Sequence, residues 1–338
     1  MANTDQACPF GSHRVIEPEG VLPQAAWKLD NTMELRDNEL LIDVDTLNID
    51  AASFRQIREE AGGEVERIRE IILRTVKDRG KQHNPVTGSG GMLLGSVNRA
   101  GERFPGKVHP GERIATLVSL SLTPLRVDRI LDVDQERDQL RVEGQAILFA
   151  SGIYATLPDD LPEAFALAML DVAGAPAQTA KLVRPGETVL VIGGGGKSGL
   201  LCMYEARRRA GVTGCVLGVS FSERGCDRIR ESGFADRVLR ADATRPLDFY
   251  HAVSDALQGE PADVTINCVD VPGTEMASIL ATRDGGTVYF FSMATSFTAA
   301  ALGAEGVGKD VRMLIGNGYT RGHAEIVLDI ARKVRHLF

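Results

Sequence analysis

The chain carries two hydrophobic rhythms. Its first half alternates apolar and polar positions in short runs. Glu39-Leu-Leu-Ile-Asp-Val-Asp reads as a strand, and so do Met92–Val97 and Ile114–Leu120, with Ala146–Leu157 as the last strand or two. Asn48–Ser53 is expected to be a loop, and Ser53–Arg79 places Ile57, Val65, Ile68, Ile71 and Ile72 at helical spacing. Gly88-Ser-Gly-Gly predicts a hinge, and Pro110-Gly-Glu-Arg a turn.

From residue 151 the period changes. A helix over Pro162–Val183 is followed by the strand Thr188–Ile192 and the helix Ser198–Ala210. The strand Cys215–Ser220, helix Glu223–Ser232, strand Arg237–Leu239 and helix Pro246–Gln258 continue the alternation. Val264–Cys268, Met276–Thr282, Thr287–Phe291, Val311–Ile315 and the helix His323–Val334 complete it. Strand–helix alternation of this kind builds a parallel sheet covered on both faces. The expected fold is α/β: an N-terminal barrel-like β domain over residues 1–150, then a Rossmann doubly wound parallel-sheet domain over residues 151–338.

The strand Thr188–Ile192 runs into Gly193-Gly-Gly-Gly-Lys-Ser-Gly199, where Gly194, Gly196 and Gly199 satisfy G-x-G-x-x-G. Such glycines allow a tight turn, backbone approach to a pyrophosphate, and close helix–strand packing. Free N–H groups at the helix start, here around Lys197 and Ser198, complement an anion. The next strand ends at Ser220, and Ser222 and Arg224 follow without an acid at the tip. Hydroxyls and a guanidinium there suit a 2′-phosphate, so NADP is favoured, while Glu223 leaves NAD open. Val269, Ser292 and Met293 lie just past later strands, where open α/β sheets bind ligands.

Composition narrows the class. Hydrophobic residues make up 43% and charged residues 25%, the balance of a soluble enzyme. A net charge of −8 argues against nucleic acid as a partner. There is no apolar run long enough for a membrane span and no signal-peptide pattern at the start. Five scattered cysteines, without C-x-x-C, read as free thiols, and a cytoplasmic location is expected.

A barrel-like domain preceding a Rossmann domain resembles the medium-chain dehydrogenases. Further segments are more specific: His13-Arg-Val-Ile-Glu-Pro, Gly20-Val-Leu-Pro-Gln, Asn84-Pro-Val-Thr-Gly-Ser-Gly-Gly-Met, Ser119-Leu-Ser-Leu-Thr-Pro-Leu, Asp171-Val-Ala-Gly-Ala-Pro-Ala-Gln, Ala301-Leu-Gly-Ala-Glu-Gly-Val-Gly and Gly316-Asn-Gly-Tyr. With these the chain resembles the L-erythro-3,5-diaminohexanoate dehydrogenase family. The resemblance implies nicotinamide-dependent conversion of 3,5-diaminohexanoate to 5-amino-3-oxohexanoate and ammonia in lysine fermentation. It also implies a homodimer, with Val311–Ile315 pairing edge to edge. Zinc-dependent relatives carry Cys or His ligands that this chain lacks at the matching positions, so a metal-free site is expected.

Hydride leaves the carbon bearing an amine only when that amine is neutral. At pH 7 this costs about 4 kcal/mol for an amine of pKa near 10. Asp50 and Glu275 are candidate bases or ammonium partners, with a helix cap or surface residue as the alternative for each. His83 beside the Gly-rich hinge is a third candidate. Tyr154 and Tyr319 are candidate substrate-binding donors, and Arg126, then Arg55, candidates for the carboxylate. The competing functions are a zinc-independent NADPH quinone or enone reductase and a non-catalytic dinucleotide sensor.

Overall fold

The computed structural model describes residues 7–84, 88–292, 294–316 and 318–338. The chain forms two compact units, Met1–Asp171 and Val172–Phe338. The first contains β1 (Val15–Glu17), β2 (Lys28–Leu29), β3 (Glu39–Asn48), α1 (Ala51–Glu60), α2 (Val65–Arg79) and β4 (Met92–Ala100). It continues through β5 (Arg113–Thr116), β6 (Leu125–Asp134), β7 (Gln139–Phe149), β8 (Tyr154–Thr156) and α3 (Glu163–Leu170). Six of these strands make the barrel-like domain's antiparallel sheet, in the order β6-β7-β3-β4-β5-β8. Leu40, Ile42, Val44 and Leu47 of β3 pack with Ile68, Ile72 and Val76 of α2 in its core.

Several local expectations are corrected. The single helix over 53–79 is two, because Gly62 and Gly63 adopt φ of 66° and 79°, which only glycine takes without strain. The helix also starts earlier, at Ala51, because Asp50 caps it by accepting a hydrogen bond from the Ser53 N–H at 3.0 Å. The strand expected over 114–120 stops at Thr116, where Ser119 caps a short 3-10 turn. β6 was not expected, since register shifts between Val127 and Arg129 and between Ile130 and Asp132 scramble its alternation. β7 starts at Gln139 rather than Ala146, through a polar stretch around Glu143 to Gln145.

The division into units falls after Asp171, later than residue 150. β8 pairs with β5, and Glu163 forms an ion pair with Arg113 at 2.7 Å, which ties this stretch to the first sheet. The helix expected over 162–183 is likewise two, α3 and α4 (Gly174–Leu182). Pro176 lies in the first turn of α4, where its missing N–H is harmless; inside a continuous helix it would break the ladder.

The second unit continues with β9 (Thr188–Ile192), α5 (Lys197–Ala210), β10 (Cys215–Ser220), α6 (Glu223–Ser232), β11 (Arg237–Arg240) and α7 (Pro246–Ala256). Then come β12 (Ala262–Asn267), α8 (Glu275–Ala281), β13 (Thr282–Phe290), α9 (Phe297–Val307), β14 (Arg312–Ile315) and α10 (His323–Val334). All six strands are parallel, in the order β11-β10-β9-β12-β13-β14. That is the doubly wound order, which reverses between β9 and β12. Alternate residues of β9 serve opposite faces. Val189 and Val191 pack with Met203 and Ala206 of α5, while Leu190 and Ile192 pack with Phe249 and Val253 of α7. The expected strand over 287–291 is longer, beginning at Thr282. α9 was not anticipated from its Ala/Gly-rich sequence, in which the buried residues are Ala300 and Ala304. Among the described residues no helix is long and apolar enough to cross a membrane.

Candidate active site

The second unit supplies an anion cradle. β9 ends beside the point where the strand order reverses, and Gly193 turns the chain at φ 81°. The N–H groups of Gly193 and Gly194 both donate to the Val219 carbonyl, at 3.0 and 2.8 Å, anchoring the loop to β10. The tight turn therefore falls at Gly193, one residue before the first glycine of the motif. A Cβ on Gly199 would meet the Gly193 carbonyl and lie 2.6 Å from the Gly194 Cα, so α5 rests directly on the loop. Gly196 differs. It is exposed, a Cβ there would touch only the Gly193 oxygen at 3.4 Å, and it N-caps α5 without any side-chain cap. The N-terminus of α5 thus carries no side-chain cap, and the helix dipole stands behind it. Lys197 and Ser198 stand half-buried at this helix start. The fit to a dinucleotide pyrophosphate is good.

The neighbouring strand ends converge on the same place. A Cβ on Gly193 would lie 3.2 Å from Val269 Cγ2. The Val269 N–H donates to Asn267 Oδ1 at 2.9 Å, and the Asn267 amide donates to Thr274 and Ser278, so this turn is held from below. Ser292 accepts from the Ala294 N–H. Met293 lies outside the described residues. At the tip of β10, Ser220 is buried, while Ser222 caps α6 by accepting from Gly225 N–H at 3.1 Å. Glu223 is engaged by Arg230 at 2.9 Å and Arg240 at 3.8 Å. Arg224 is exposed and makes no ion pair among the described residues.

The polar candidates are scattered by comparison. Glu275 is buried, and its carboxylate accepts the Ser296 N–H at 2.7 Å, so it fastens the loop between β13 and α9. Arg126 is exposed and bound to Asp128 and Gln145. Arg55 is exposed on α1. Tyr154 is half-buried on β8 beside Phe104, and its hydroxyl is pushed above its usual pKa by burial and by Glu112. Tyr319 is exposed and stacks edge-on with His323. Asp50 uses Oδ1 as the helix cap, while its buried Oδ2 has no partner among the described residues. His83 Nδ1 accepts from Arg79 Nη1 at 2.6 Å. Burial and the charges of Lys81 and Arg79 lower its pKa to about 4, so the ring is neutral at pH 7 and a poor proton acceptor.

Sequence reasoning missed the neighbours of His83. α2 ends at Gly80, whose φ of 68° and tight approach to the Leu29 carbonyl exclude any side chain. The turn sends the following residues inward: Lys81, Gln82 and Asn84 are buried, and the Gln82 Oε1 has no partner among the described residues. The signal was a run of polar residues directly after a glycine-terminated amphipathic helix. Among the described residues, no group of three His, Cys, Asp or Glu side chains is placed to hold a metal.

Comparison with known proteins places the chain. Residues 13–158 match the model of the L-erythro-3,5-diaminohexanoate dehydrogenase N-terminal domain. Over 330 residues the chain is 57% identical to L-erythro-3,5-diaminohexanoate dehydrogenase of Acetoanaerobium sticklandii, covering 97% of this chain and 96% of that protein. It is 55% identical, with the same coverage, to the protein of that name from Fusobacterium nucleatum subsp. nucleatum. Among solved structures it shares its fold with the enoyl reductase CurK, at TM-score 0.58 and 14% identity, covering 95% of this chain and 87% of that one. Quinone oxidoreductase of Escherichia coli, complexed with NADPH, gives TM-score 0.56 and 14% identity, covering 89% and 81%.

Proposed function

The chain belongs to the L-erythro-3,5-diaminohexanoate dehydrogenase family, and from that premise we propose that it oxidatively deaminates this diamino acid to 5-amino-3-oxohexanoate. The observation that carries the reading is the near full-length identity, joined to a glycine loop that fits a pyrophosphate at the strand-order reversal. A bound nicotinamide dinucleotide supplies the hydride acceptor. Overall, ammonium substrate, oxidised cofactor and water give ketone, ammonium ion, reduced cofactor and one proton. The protein's task is to bind the substrate's charges, favour its neutral amine and admit one water to the imine carbon.

Residues of both units support parts of this reading. The uncapped N-terminus of α5, with its helix dipole, faces the diphosphate. Arg224, which makes no ion pair among the described residues while Glu223 is engaged by two arginines, favours NADP over NAD. The orphan Oδ2 of Asp50 accepts a substrate ammonium. An Asp50→Asn variant keeps a competent helix cap and removes the charge, so it raises KM without unfolding α1. Among the described residues no His, Cys, Asp or Glu set is placed to hold a metal, and activity is expected to survive EDTA. β14 is an edge strand with Ile315 exposed, and its pairing with a second copy would cover it. A monomer by light scattering would contradict that pairing.

An initial-rate assay tests the function: reduced cofactor should form with 3,5-diaminohexanoate, faster at alkaline pH where the amine is neutral. Oxidation of NADPH by simple enones, with no response to the diamino acid, would overturn the proposal in favour of a reductase.

A further inference from the structure

Arg79 and Lys81 flank the glycine that ends α2. Lys81 is fully buried and Arg79 is 7% exposed. Neither forms an ion pair with any described carboxylate. Among the described residues the Lys81 ammonium donates to one neutral acceptor, the Pro23 carbonyl at 2.7 Å. The Arg79 guanidinium donates to His83 Nδ1 and lies 3.7 Å over the Trp27 ring. Burial pushes both cations below their usual pKa, Lys81 to about 8, and the Arg79 charge adds to the effect on Lys81. Two buried like charges with no counter-ion are costly, and each lacks acceptors for most of its protons. Several surface arginines of this chain are different. Arg113, Arg129, Arg230 and Arg283 each meet a carboxylate. What Arg79 and Lys81 lack is an anion.

We propose that Arg79 and Lys81 form the subsite that receives the substrate's carboxylate, an inference that rests on the deamination reading. A carboxylate offers two oxygens to these donors. It neutralises a charge that the fold leaves uncompensated, so binding energy comes from relieving an existing penalty. Neutral His83 accepts from Arg79 through Nδ1 and so orients the guanidinium while adding no third charge. Trp27, half exposed, covers the guanidinium on one face. The two arginines favoured by sequence, Arg126 and Arg55, are exposed, and Arg126 is already committed to Asp128.

The test uses the full-length protein and the variants Arg79→Met and Lys81→Met. Isothermal titration with 3-aminobutyrate, the carboxylate end of the substrate, is compared with its carboxamide. Each variant should weaken 3-aminobutyrate about 10- to 100-fold, as expected for a lost charge-assisted hydrogen bond, and leave carboxamide binding within about twofold. KM for 3,5-diaminohexanoate should rise in parallel, and Lys81→Arg should recover part of the loss. Circular dichroism melts guard against misfolding: removing an uncompensated buried charge should leave the melting temperature of the free protein unchanged or higher. Unchanged carboxylate discrimination in both variants overturns the subsite. So does a pair that binds inorganic phosphate while ignoring 3-aminobutyrate. If the wild type turns over no diaminohexanoate yet binds 3-aminobutyrate through these residues, the deamination reading fails and the subsite stands.

Discussion

Two buried charge clusters of the first unit differ in one respect, and the difference separates a structural role from a binding one. Around Arg14 every charge is answered. Its guanidinium donates to both Glu39 oxygens at 2.7 Å and to the carbonyls of Thr32 and Glu34, and His13 and the Arg36 N–H complete the carboxylate's partners. Around Arg79 and Lys81 no carboxylate is bound among the described residues, only the Pro23 carbonyl, an imidazole and an indole ring. The closed cluster pins the chain between residues 13 and 39 to the sheet. The open one holds its cations in readiness. A buried charge that is paired resists removal, whereas a buried charge without a partner is destabilising until a ligand arrives.

The largest effect should come from opening the closed cluster. Glu39→Gln leaves Arg14 buried without a counter-charge and is expected to cost about 3–5 kcal/mol in urea unfolding. The same ion pair has an acid limb. Arg14 and His13 hold the Glu39 carboxyl at about 2. Its folded value lies below its unfolded one, so its stabilisation is complete above about pH 4.3 and is lost as pH falls towards 2. The Gln variant should lack that limb.

Next comes the opposite sign at Lys81. Its pKa is lowered to about 8 on folding, so the unfolded chain binds the extra proton between pH 8 and about 10.4. Wild-type stability should therefore gain about 3 kcal/mol over that window relative to Lys81→Met, read as a difference between the two unfolding curves. A flat difference curve would place Lys81 with Arg14, among satisfied charges.

Two smaller tests probe the cradle, which binds through backbone rather than through buried charge. Gly199→Ala drives a methyl into the Gly193 carbonyl and Gly194 Cα, at a cost of about 1–3 kcal/mol. Fluorescence titration should show cofactor binding weakened about tenfold or more. Arg224→Ala should weaken NADP about tenfold and leave NAD unchanged, a difference read from KM values. Equal effects on both cofactors would remove the 2′-phosphate role.

The same contrast explains what was legible in the chain. The cradle could be read because its geometry is local: a strand, a glycine run and a helix start are contiguous, and Gly193 and Gly199 each have a steric reason. The parallel, doubly wound sheet followed from the strand–helix alternation. β6 escaped because its register shifts hide the apolar alternation at Val127 and Ile130, and α9 because its buried stripe is only alanine. The open cluster escaped for a different reason. Lys81 looks like any surface lysine in a polar run, and only the inward turn at Gly80 and the distant Pro23 carbonyl make it a buried cation. Glu275 shows the converse, an acid at a strand-end loop whose oxygen is spent on the backbone of Ser296.

Trp27 is the only tryptophan in the chain, and its indole lies beneath the Arg79 guanidinium. Tryptophan emission from the unlabelled protein, selected by exciting beyond the tyrosine band, therefore comes from one fluorophore whose excited state feels that cation directly. Stopped-flow mixing could follow arrival and departure of an anion there in real time, without a dye and without turnover.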